Sequence, residues 1–404
     1  MIRTNSIKRL SSRTRRHSLR WKKESAFFLC LIALLWAYQV ASWRPASDHA
    51  AKVSSSASPS IQHNTEMGDL ESRIPSIVRE RCNLQQEESW MPPPNDWTRR
   101  VPAFLVLGAK KCGTTGLFQT LEMHPQIVRG RTKELQFFVP KRFQSSFVED
   151  DNRTIRVHDA RDALFSRQFP TPLLQNNTQL ITGEATPDYF MFPDLAGMAI
   201  LCTIPWAKFV VVLRDPIERL YSHYNYLSPK GHGKTAGHRK KMATFEDWIR
   251  NDIRILQNVG VLPQNLSQVP SYMGSQEERE GWLRYQSMLK PGAANPGSDR
   301  HFVRSLYAPQ LEQWMHLMRQ FGKDPKKDLR VIFSKDLKRN SKVINELFQW
   351  LGLPAIPNIN VKQSMITQYS SPPMSSQLKN FLKETIFDHF NARLFQLLSI
   401  KPVF

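Results

Sequence analysis

Cysteine is scarce in this sequence: its 404 residues contain four, which are Cys30, Cys82, Cys112 and Cys202. None of them stands at a spacing from a histidine or another cysteine that is typical of a zinc site, and we expect no metal. Internal repeats are also absent. The sequence therefore gives no support to a zinc-dependent function.

Acidic residues are few relative to basic ones. The chain has 35 Asp and Glu against 56 Lys and Arg, so its net charge is +21. Residues 1–23 contain nine basic residues and no acid, which leaves about +12 for the remainder. An excess of this size favours an anionic partner, although charge alone does not name that partner.

Long apolar runs are missing except for one. Residues 26–43, AFFLCLIALLWAYQVASW, are 18 residues without a charge, close to the minimum for a helix that crosses a bilayer. Trp36, Tyr38 and Trp43 lie toward its far end, as interfacial aromatic residues do. With the basic residues 1–25 in the cytosol, the positive-inside rule predicts a signal anchor and a lumenal C-terminal part. A cleaved signal peptide is the alternative, but its basic region would be unusually long and no small-x-small cleavage site follows.

Two weaker features are consistent with a lumenal chain. Sequons for N-glycosylation occur at Asn152, Asn176 and Asn265. An oxidising lumen also permits one disulfide, and Cys82–Cys202 is the pair that we expect.

Composition divides the rest of the chain into two parts. Residues 44–96 are rich in Ser, Ala and Pro and lack apolar periodicity, which is typical of a flexible stem. From residue 97 to 404, continuous apolar runs alternate with helical patterns. The runs are Phe104–Leu107, Lys208–Leu213 and Leu329–Phe333. They predict one α/β domain with a central parallel sheet covered by helices, and residues 258–300 are predicted to be a long surface insertion, a candidate substrate-facing loop.

The most informative stretch joins the first apolar run to a helix. It reads Gly108-Ala-Lys-Lys-Cys-Gly113-Thr-Thr115. Such a turn offers backbone N–H groups and the positive end of the helix dipole to a phosphate. An ATP-binding P-loop needs a lysine directly after its last glycine, whereas here Thr114 follows Gly113 and both lysines precede it. This argues against an ATP-dependent kinase; a turn that merely joins strand to helix is the plainer alternative.

The stretch GAKKCGTT resembles the 5′-phosphosulfate loop of sulfotransferases that use 3′-phosphoadenosine 5′-phosphosulfate (PAPS), a family with a P-loop-like fold. In that family the reactive lysine precedes x-Gly-Thr, which implies that Lys111 is the catalytic lysine. The resemblance also implies a set of residues around the 5′-phosphosulfate: Lys110, Lys111, Cys112, Gly113, Thr114 and Thr115.

A second motif stands about a hundred residues later. Leu213-Arg-Asp-Pro-Ile-Glu-Arg-Leu-Tyr-Ser-His-Tyr224 is similar to the family's 3′-phosphate motif, an Arg at a strand end and a Ser eight residues later. The resemblance implies that Arg214 pairs with the 3′-phosphate and that Ser222 donates from the following helix, with Arg219 as a further helper. Alone, an apolar strand followed by Asp215 also imitates the Walker B strand of an ATPase.

The acceptor side carries a third motif. Lys133-Glu-Leu-Gln-Phe-Phe138 resembles the Lys-Glu-x-x-Phe-Phe element of lumenal glycan sulfotransferases, especially the heparan sulfate N- and 3-O-enzymes. In those enzymes the glutamate is the general base, which implies that Glu134 takes the acceptor proton and that Lys133 contacts the substrate. The segment Gly183–Phe190 looks like the family's Glu-Lys-Thr-Pro-x-Tyr-Phe element and makes Glu184 a further substrate-binding candidate.

Two departures leave the acceptor open. Ala185 stands where heparan enzymes place a lysine near the reacting sulfate, and chondroitin/dermatan-type relatives often have such an alanine. Residues 361–376 lack the paired cysteines and the Lys-Gly-Arg loop that help to hold the nucleotide in heparan enzymes. His124 and His223 are expected to have structural roles rather than to act as the base.

Together the motifs predict a Golgi membrane enzyme that moves a sulfonate from PAPS to a hydroxyl or amine of a glycosaminoglycan-like glycan, without a nucleic-acid partner. Two alternatives stay open: a protein-tyrosine sulfotransferase, whose acceptor segment should lack Lys-Glu-x-x-Phe-Phe, and a catalytically silent lumenal glycan-binding protein. The presence together of Lys111, Glu134, Arg214 and Ser222 argues against the second, because glycan binding needs no nucleotide contacts.

Overall fold

A five-stranded parallel sheet organises the chain, with the strand order β2-β3-β1-β4-β5. The strands are β1 (Phe104–Gly108), β2 (Ile127–Arg129), β3 (Ile181–Glu184), β4 (Lys208–Leu213) and β5 (Leu329–Phe333). The three predicted apolar runs are β1, β4 and β5, and the first two are buried along almost their whole length. This confirms the predicted α/β fold with a central parallel sheet.

The computed structural model describes residues 80–82, 101–149, 154–170, 173–174, 177, 179–227, 244–288, 301–337, 340–362 and 372–404. The predicted tail 1–25, the predicted anchor 26–43, most of the stem 44–96 and the sequons at Asn152 and Asn176 lie outside these residues. Within them, no helix combines the length and the apolar character needed to cross a membrane.

Helices flank the sheet and connect its strands. They are α1 (Thr114–Leu121), α2 (Pro140–Phe147), α3 (Val157–Gln168), α4 (Met198–Thr203), α5 (Pro216–Leu227), α6 (Phe245–Val259), α7 (Val269–Tyr272), α8 (Gln276–Ser287), α9 (Tyr307–Gln320), α10 (Pro325–Asp328), α11 (Ser341–Trp350), α12 (Ser376–Leu382) and α13 (Asp388–Leu398). Short 3-10 turns precede α7 and α9, and wider π-type turns precede α4 and α13.

The prediction of a long surface insertion at 258–300 is wrong for residues 258–288, the part that the structure describes, because they are largely helical. Gly260 ends α6 with φ of 81°, and the Ser275 hydroxyl caps α8 by accepting from the backbone N–H of Glu278. A Cβ on Gly281 would lie 1.9 Å from the carbonyl oxygen of Gly260, so α8 packs directly on this turn. Trp282 is buried in the core. The Gly and polar residues here serve as helix caps and a close contact.

Two links join elements that are distant in sequence. A disulfide joins Cys82 to Cys202 of α4 at a sequence separation of 120. On α13, the Arg393 guanidinium pairs with Glu278 of α8 at 2.8 Å and with Glu312 of α9. The C-terminal helix is thereby held against two others by a partly buried ion network.

Candidate active site at the carboxyl ends of the strands

The parallel sheet brings the ends of β1, β3 and β4 to one edge, where ligands bind in open α/β folds. Residues 109–113 follow β1, residues 185–190 follow β3, and Arg214 follows β4. We call 185–190 the β3 exit segment. Two of the three predicted motifs therefore start at this edge, and the β3 exit segment lies with them.

The turn after β1 needs glycine at two positions. A Cβ on Gly108 would lie 2.7 Å from the Cβ of Phe190 and 2.9 Å from the carbonyl oxygen of Pro187, which packs the loop against the β3 exit segment. Gly113 stands at the N-cap of α1 with φ of 99°, and a Cβ there would meet nothing within 4 Å. No side-chain hydrogen bond caps α1, and the first N–H groups of any helix have no acceptor within that helix.

The first lysine of the loop is held by a carboxylate. Lys110 Nζ lies 3.3 Å from Asp188 Oδ2, and Arg304 Nη2 lies 2.6 Å from Asp188 Oδ1. Although burial opposes it, the attraction of Arg304 and Lys110 lowers the pKa of Asp188 to about 2. Asp188 is therefore a fixed negative charge that positions two cations at the strand edge.

The second lysine of the loop has a different environment. Lys111 has φ of 71°, and its ammonium lies 4.3 Å from the centroid of the Tyr226 ring. Burial, together with the nearby cations Arg214, Lys110 and Arg219, lowers the pKa of Lys111 to about 8. An anion arriving here would stabilise the charged form of Lys111.

The residues of the second motif lie at the end of β4 and on α5. Arg214 is partly exposed, and its Nη2 lies 3.0 Å from Glu218 Oε2. Asp215 Oδ1 accepts from the backbone N–H groups of Ile217 and Glu218, so this carboxylate caps α5 rather than occupying a Walker B role. Ser222 lies two turns further along α5 and is 7% exposed.

Arg219, the proposed further helper, is fully buried. Its Nε donates to Ser305 Oγ at 2.7 Å, and another guanidinium nitrogen donates to the carbonyl of His301. His223 lies beside it, and burial with the neighbouring His301 and Arg219 keeps its pKa well below the ordinary histidine value. Arg219 therefore joins α5 to residues 301–305, and His223 has a structural environment.

The acceptor motif is fastened to the β3 exit segment by backbone groups. Gln136 N–H donates to Thr186 Oγ1 at 3.0 Å, and Phe138 N–H donates to the Tyr189 hydroxyl at 3.2 Å. Within the motif, Lys133 Nζ donates to Glu134 Oε1 at 2.7 Å, and both side chains are partly exposed. The predicted base thus stands at the surface on a backbone that is firmly held.

Glu184 is predicted to bind substrate, but the structure buries it, with 1% of the residue exposed. One oxygen accepts from the Leu135 N–H at 3.3 Å and from Thr186 Oγ1 at 2.8 Å. Burial raises the pKa of Glu184 to about 7, and the negative charge of Glu134 acts in the same direction. Glu184 holds the acceptor motif from beneath instead of reaching a substrate.

Cys112 is predicted to bind the nucleotide, but its side chain lies in the core. Its side chain is 1% exposed, its sulfur lies 3.5 Å from the Tyr307 hydroxyl, and its N–H donates to Ala109 at 3.2 Å. Tyr307 in turn donates to the Arg214 carbonyl at 2.9 Å. Cys112 therefore links the two nucleotide motifs from inside the core.

The remaining predicted residues are spread over the loop and the surface. Thr114 is buried and Thr115 half-buried at the start of α1, while Asn265 is exposed and caps a short turn by accepting from Ser267. His124 accepts from the Gln126 N–H and contacts the Pro354 carbonyl, which is a structural environment. No group of three or more metal-ligating side chains occurs among the residues that the structure describes. That no metal takes part stays a prediction.

Several residues of this edge were not singled out from the sequence. They are Thr186, Asp188, Tyr189, Tyr226, Arg304 and Tyr307. Three of them, Thr186, Asp188 and Tyr189, lie in the segment Gly183–Phe190 that resembles the family, so the sequence indicates their neighbourhood but not their roles. Tyr226 stands just past the second motif, where no spacing rule indicates it.

The chain is similar in sequence to several known sulfotransferases. Membrane-associated sulfotransferase kil1 of Dictyostelium discoideum is 25% identical over 339 residues, which cover 74% of this chain and 65% of that protein. Carbohydrate sulfotransferase 15 of Mus musculus is 29% identical over 188 residues, 40% of this chain and 32% of that protein. Bifunctional heparan sulfate N-deacetylase/N-sulfotransferase 4 of Mus musculus is 29% identical over 194 residues, 44% of this chain and 20% of that protein.

This chain thus spans less than two thirds of the length of each of these relatives. The family model for the sulfotransferase domain matches residues 102–395, which contain the sheet and all three motifs. The resemblance seen in the sequence is confirmed, and the chain belongs to the sulfotransferase domain family.

Proposed function

We propose that the protein transfers a sulfonate from PAPS to a hydroxyl or amine of a glycan. The main support for this proposal is that the β3 exit segment contacts both the phosphate loop and the acceptor motif. Its Asp188 holds Lys110 of the phosphate loop, while its Thr186 and Tyr189 hold the backbone on either side of the acceptor motif. One rigid segment therefore couples a phosphate-binding turn to a surface carboxylate, as a two-substrate transfer requires.

The residues at the strand edge fit PAPS as the donor. Gly113 leaves open space at the start of α1, where the first N–H groups of the helix suit a 5′-phosphosulfate. Arg214 is partly exposed and suits the 3′-phosphate, with Ser222 on the helix that follows. We assign the 5′ end to Lys110, Lys111, Gly113, Thr114 and Thr115, whereas the buried Cys112 side chain has no direct part.

PAPS supplies the sulfonate, and the protein supplies charge and a base. Glu134 accepts the proton of the acceptor hydroxyl or amine as that atom attacks the sulfur in line. Lys111 donates to the oxygen that leaves sulfur, so the negative charge that develops on the 5′-phosphate is stabilised. Lys133 keeps Glu134 oriented through its 2.7 Å hydrogen bond.

The acceptor that we propose is an anionic, glycosaminoglycan-like chain. Exposed cations stand on both sides of Glu134 in sequence; they are Arg129, Arg131, Lys141 and Arg142. Ala185 is fully buried and adds no charge, so these surface residues carry the attraction. The related carbohydrate and heparan sulfate enzymes named above support an acceptor of this class.

We further propose a Golgi location, with residues 26–43 as a single-pass anchor and residues 97–404 in the lumen. The basic residues before the apolar run and the sequon at the exposed Asn265 support this topology. The Cys82–Cys202 disulfide supports it as well, because disulfides persist in oxidising compartments.

The test is sulfonate transfer by the full chain in detergent. Radiolabelled PAPS is supplied with heparan, chondroitin, dermatan and desulfated glycans, and with a tyrosine peptide for the alternative acceptor class. We expect label on one glycan class. Glu134→Gln should lower kcat by about 10²–10⁴-fold and Lys111→Ala by about 10²–10³-fold, while the control Lys326→Ala, at an exposed residue of α10, keeps kcat within a few-fold.

Three other results would each change the proposal. Label on the peptide alone would make the protein a tyrosine sulfotransferase. Glycan binding without PAPS binding, by a protein with a cooperative unfolding transition, would make it a silent glycan-binding relative. Transfer that is unchanged in Glu134→Gln would remove Glu134 as the base.

A further inference from the structure

The Lys111 ammonium lies on an aromatic ring rather than beside an anion. Its Nζ is 4.3 Å from the Tyr226 ring centroid, within the range of a cation–π contact. Among the described residues, no carboxylate forms an ion pair with it, in contrast to Lys110 and its partner Asp188. The charged and titratable groups that face it are Lys110 and Cys112 from its own loop, Arg214 from the end of β4 and Arg219 from α5.

The backbone brings the two residues together. Lys111 adopts a left-handed conformation, with φ of 71°, which is unfavourable for a residue with a side chain and is held by its surroundings. Tyr226 lies one helical turn after Ser222 on α5, so both side chains lie on one face of that helix. The Lys111 ammonium therefore lies next to the face of α5 that carries Ser222, the serine assigned to the 3′-phosphate.

We propose that the Tyr226 ring is a holding site for the Lys111 ammonium in the nucleotide-free protein, from which the 5′ end of the nucleotide withdraws it. The proposal rests on the proposed function, because it takes that nucleotide as the competing ligand. Tyr226 is then a positioning residue that acts through Lys111.

An aromatic ring suits this task better than a carboxylate does. A carboxylate would neutralise the charge of Lys111 and would have to be displaced by the incoming phosphate, whereas a cation–π contact is weaker and leaves the positive charge of Lys111 in place. The ring also favours the charged form of Lys111, against the burial and the cations that bring its pKa down to about 8. Without the ring face, that pKa should fall further.

The experiment changes the ring face but not its shape, in the full chain in detergent. Position 226 carries either the substitution Tyr226→Phe, which keeps the π face, or 3,4,5-trifluorophenylalanine, which keeps the size but depletes the π face. Brief acetylation from pH 6 to pH 10, read by peptide mass spectrometry, reports the fraction of neutral Lys111. Binding of 3′-phosphoadenosine 5′-phosphate is measured by calorimetry at pH 6.5 and pH 9.

We expect half-maximal acetylation of Lys111 near pH 8 in wild type and in Tyr226→Phe. The fluorinated ring should lower that midpoint by about half to one pH unit. At pH 6.5, where Lys111 is charged in every variant, it should bind the nucleotide about two- to fivefold more tightly, because the competing contact is weaker. At pH 9 the two affinities should converge, because the neutral amine has no cation–π contact to lose, whereas a merely structural role of the ring would change the affinity at both pH values.

Equal acetylation midpoints for the two rings would overturn the holding role. Equal nucleotide affinities for the two rings at both pH values would also overturn it, while leaving the proposed function intact. A shifted midpoint in proteins that bind no nucleotide would instead refute the proposed function, and with it the nucleotide as the competing ligand.

Discussion

Asp188 is the residue on which the charge arrangement of the strand edge depends. Its two oxygens are divided between Lys110 and Arg304, which fixes both cations with one partly buried carboxylate. Lys110 is thereby kept beside Lys111, although like charges repel. The loop can thus present two lysines to an anion because one of them already has a partner.

Replacing Asp188 by Asn should lower the free energy of unfolding by about 2–3 kcal/mol at neutral pH, because two cations lose their partner. The pKa of Asp188 is about 2 in the folded protein, below the ordinary value of 3.8. Its stabilisation is therefore complete above pH 5 and is lost as the pH falls below about 4. Urea unfolding between pH 7 and pH 3 should show the difference from wild type shrinking at the acid end.

The matched control is Asp159→Asn, which breaks an exposed pair with Arg156 on α3. That variant should change stability by less than about 1 kcal/mol. A loss in Asp188→Asn that is no larger, or that does not vary with pH, would contradict the role given to this carboxylate.

At this scale the sequence indicates candidate residues that stand within one motif. Lys111, Arg214 and Ser222 could be identified as candidates because their spacing from a glycine or from a strand end is local. Asp188 could not, since its partner Lys110 lies 78 residues away, and Tyr307 could not, since it meets Cys112 across 195 residues. Contacts of that range depend on the strand order, which spacing does not encode.

At the scale of elements, strand composition decided what could be predicted. β4 is a run of apolar residues buried on both faces, and its pattern is unambiguous. β2 has three residues and β3 contains a glycine and a glutamate, so neither stands out as an apolar run. The glycine of β3 is explained only by the fold, because a Cβ on Gly183 would lie within 2.5 Å of the Phe104 ring.

The Cys82–Cys202 disulfide should stabilise the arrangement of the elements that it encloses. It fastens the chain at Cys82 to α4 and closes a segment that contains β1, β2 and β3. Reduction should lower the free energy of unfolding by about 2–5 kcal/mol, chiefly because the unfolded chain gains conformational freedom. Thermal unfolding with and without dithiothreitol measures the loss.

The control is the double variant Cys82→Ser/Cys202→Ser, in which dithiothreitol should have no further effect on the unfolding temperature. If the reductant lowered stability equally in that variant, the effect would not come from this bond. A wild type that is indifferent to the reductant would contradict the predicted stabilisation.

At the scale of the whole molecule, exposed positive charge lies near both ends of the parallel strands. Residues 129–142 carry exposed cations next to the carboxyl edge, around the partly exposed Glu134. Lys326 and Lys327 on α10 are equally exposed but precede β5, so they lie at the amino edge. Exposed cations can therefore be removed either beside the proposed acceptor site or, as a control, at a remote position.

The double variant Arg131→Gln/Arg142→Gln should raise the KM for an anionic glycan by about three- to tenfold at low salt and leave kcat nearly unchanged, since these side chains attract the acceptor without touching the reacting atoms. Raising the salt from 0.05 M to 0.3 M should raise the wild-type KM and reduce the difference, because exposed charges are screened over about 10 Å at 0.1 M. Lys326→Gln/Lys327→Gln removes as much charge and should leave the KM unaltered. Equal effects of the two double variants would mean that net charge rather than this edge attracts the acceptor, and a KM that is insensitive to salt would point to a neutral acceptor.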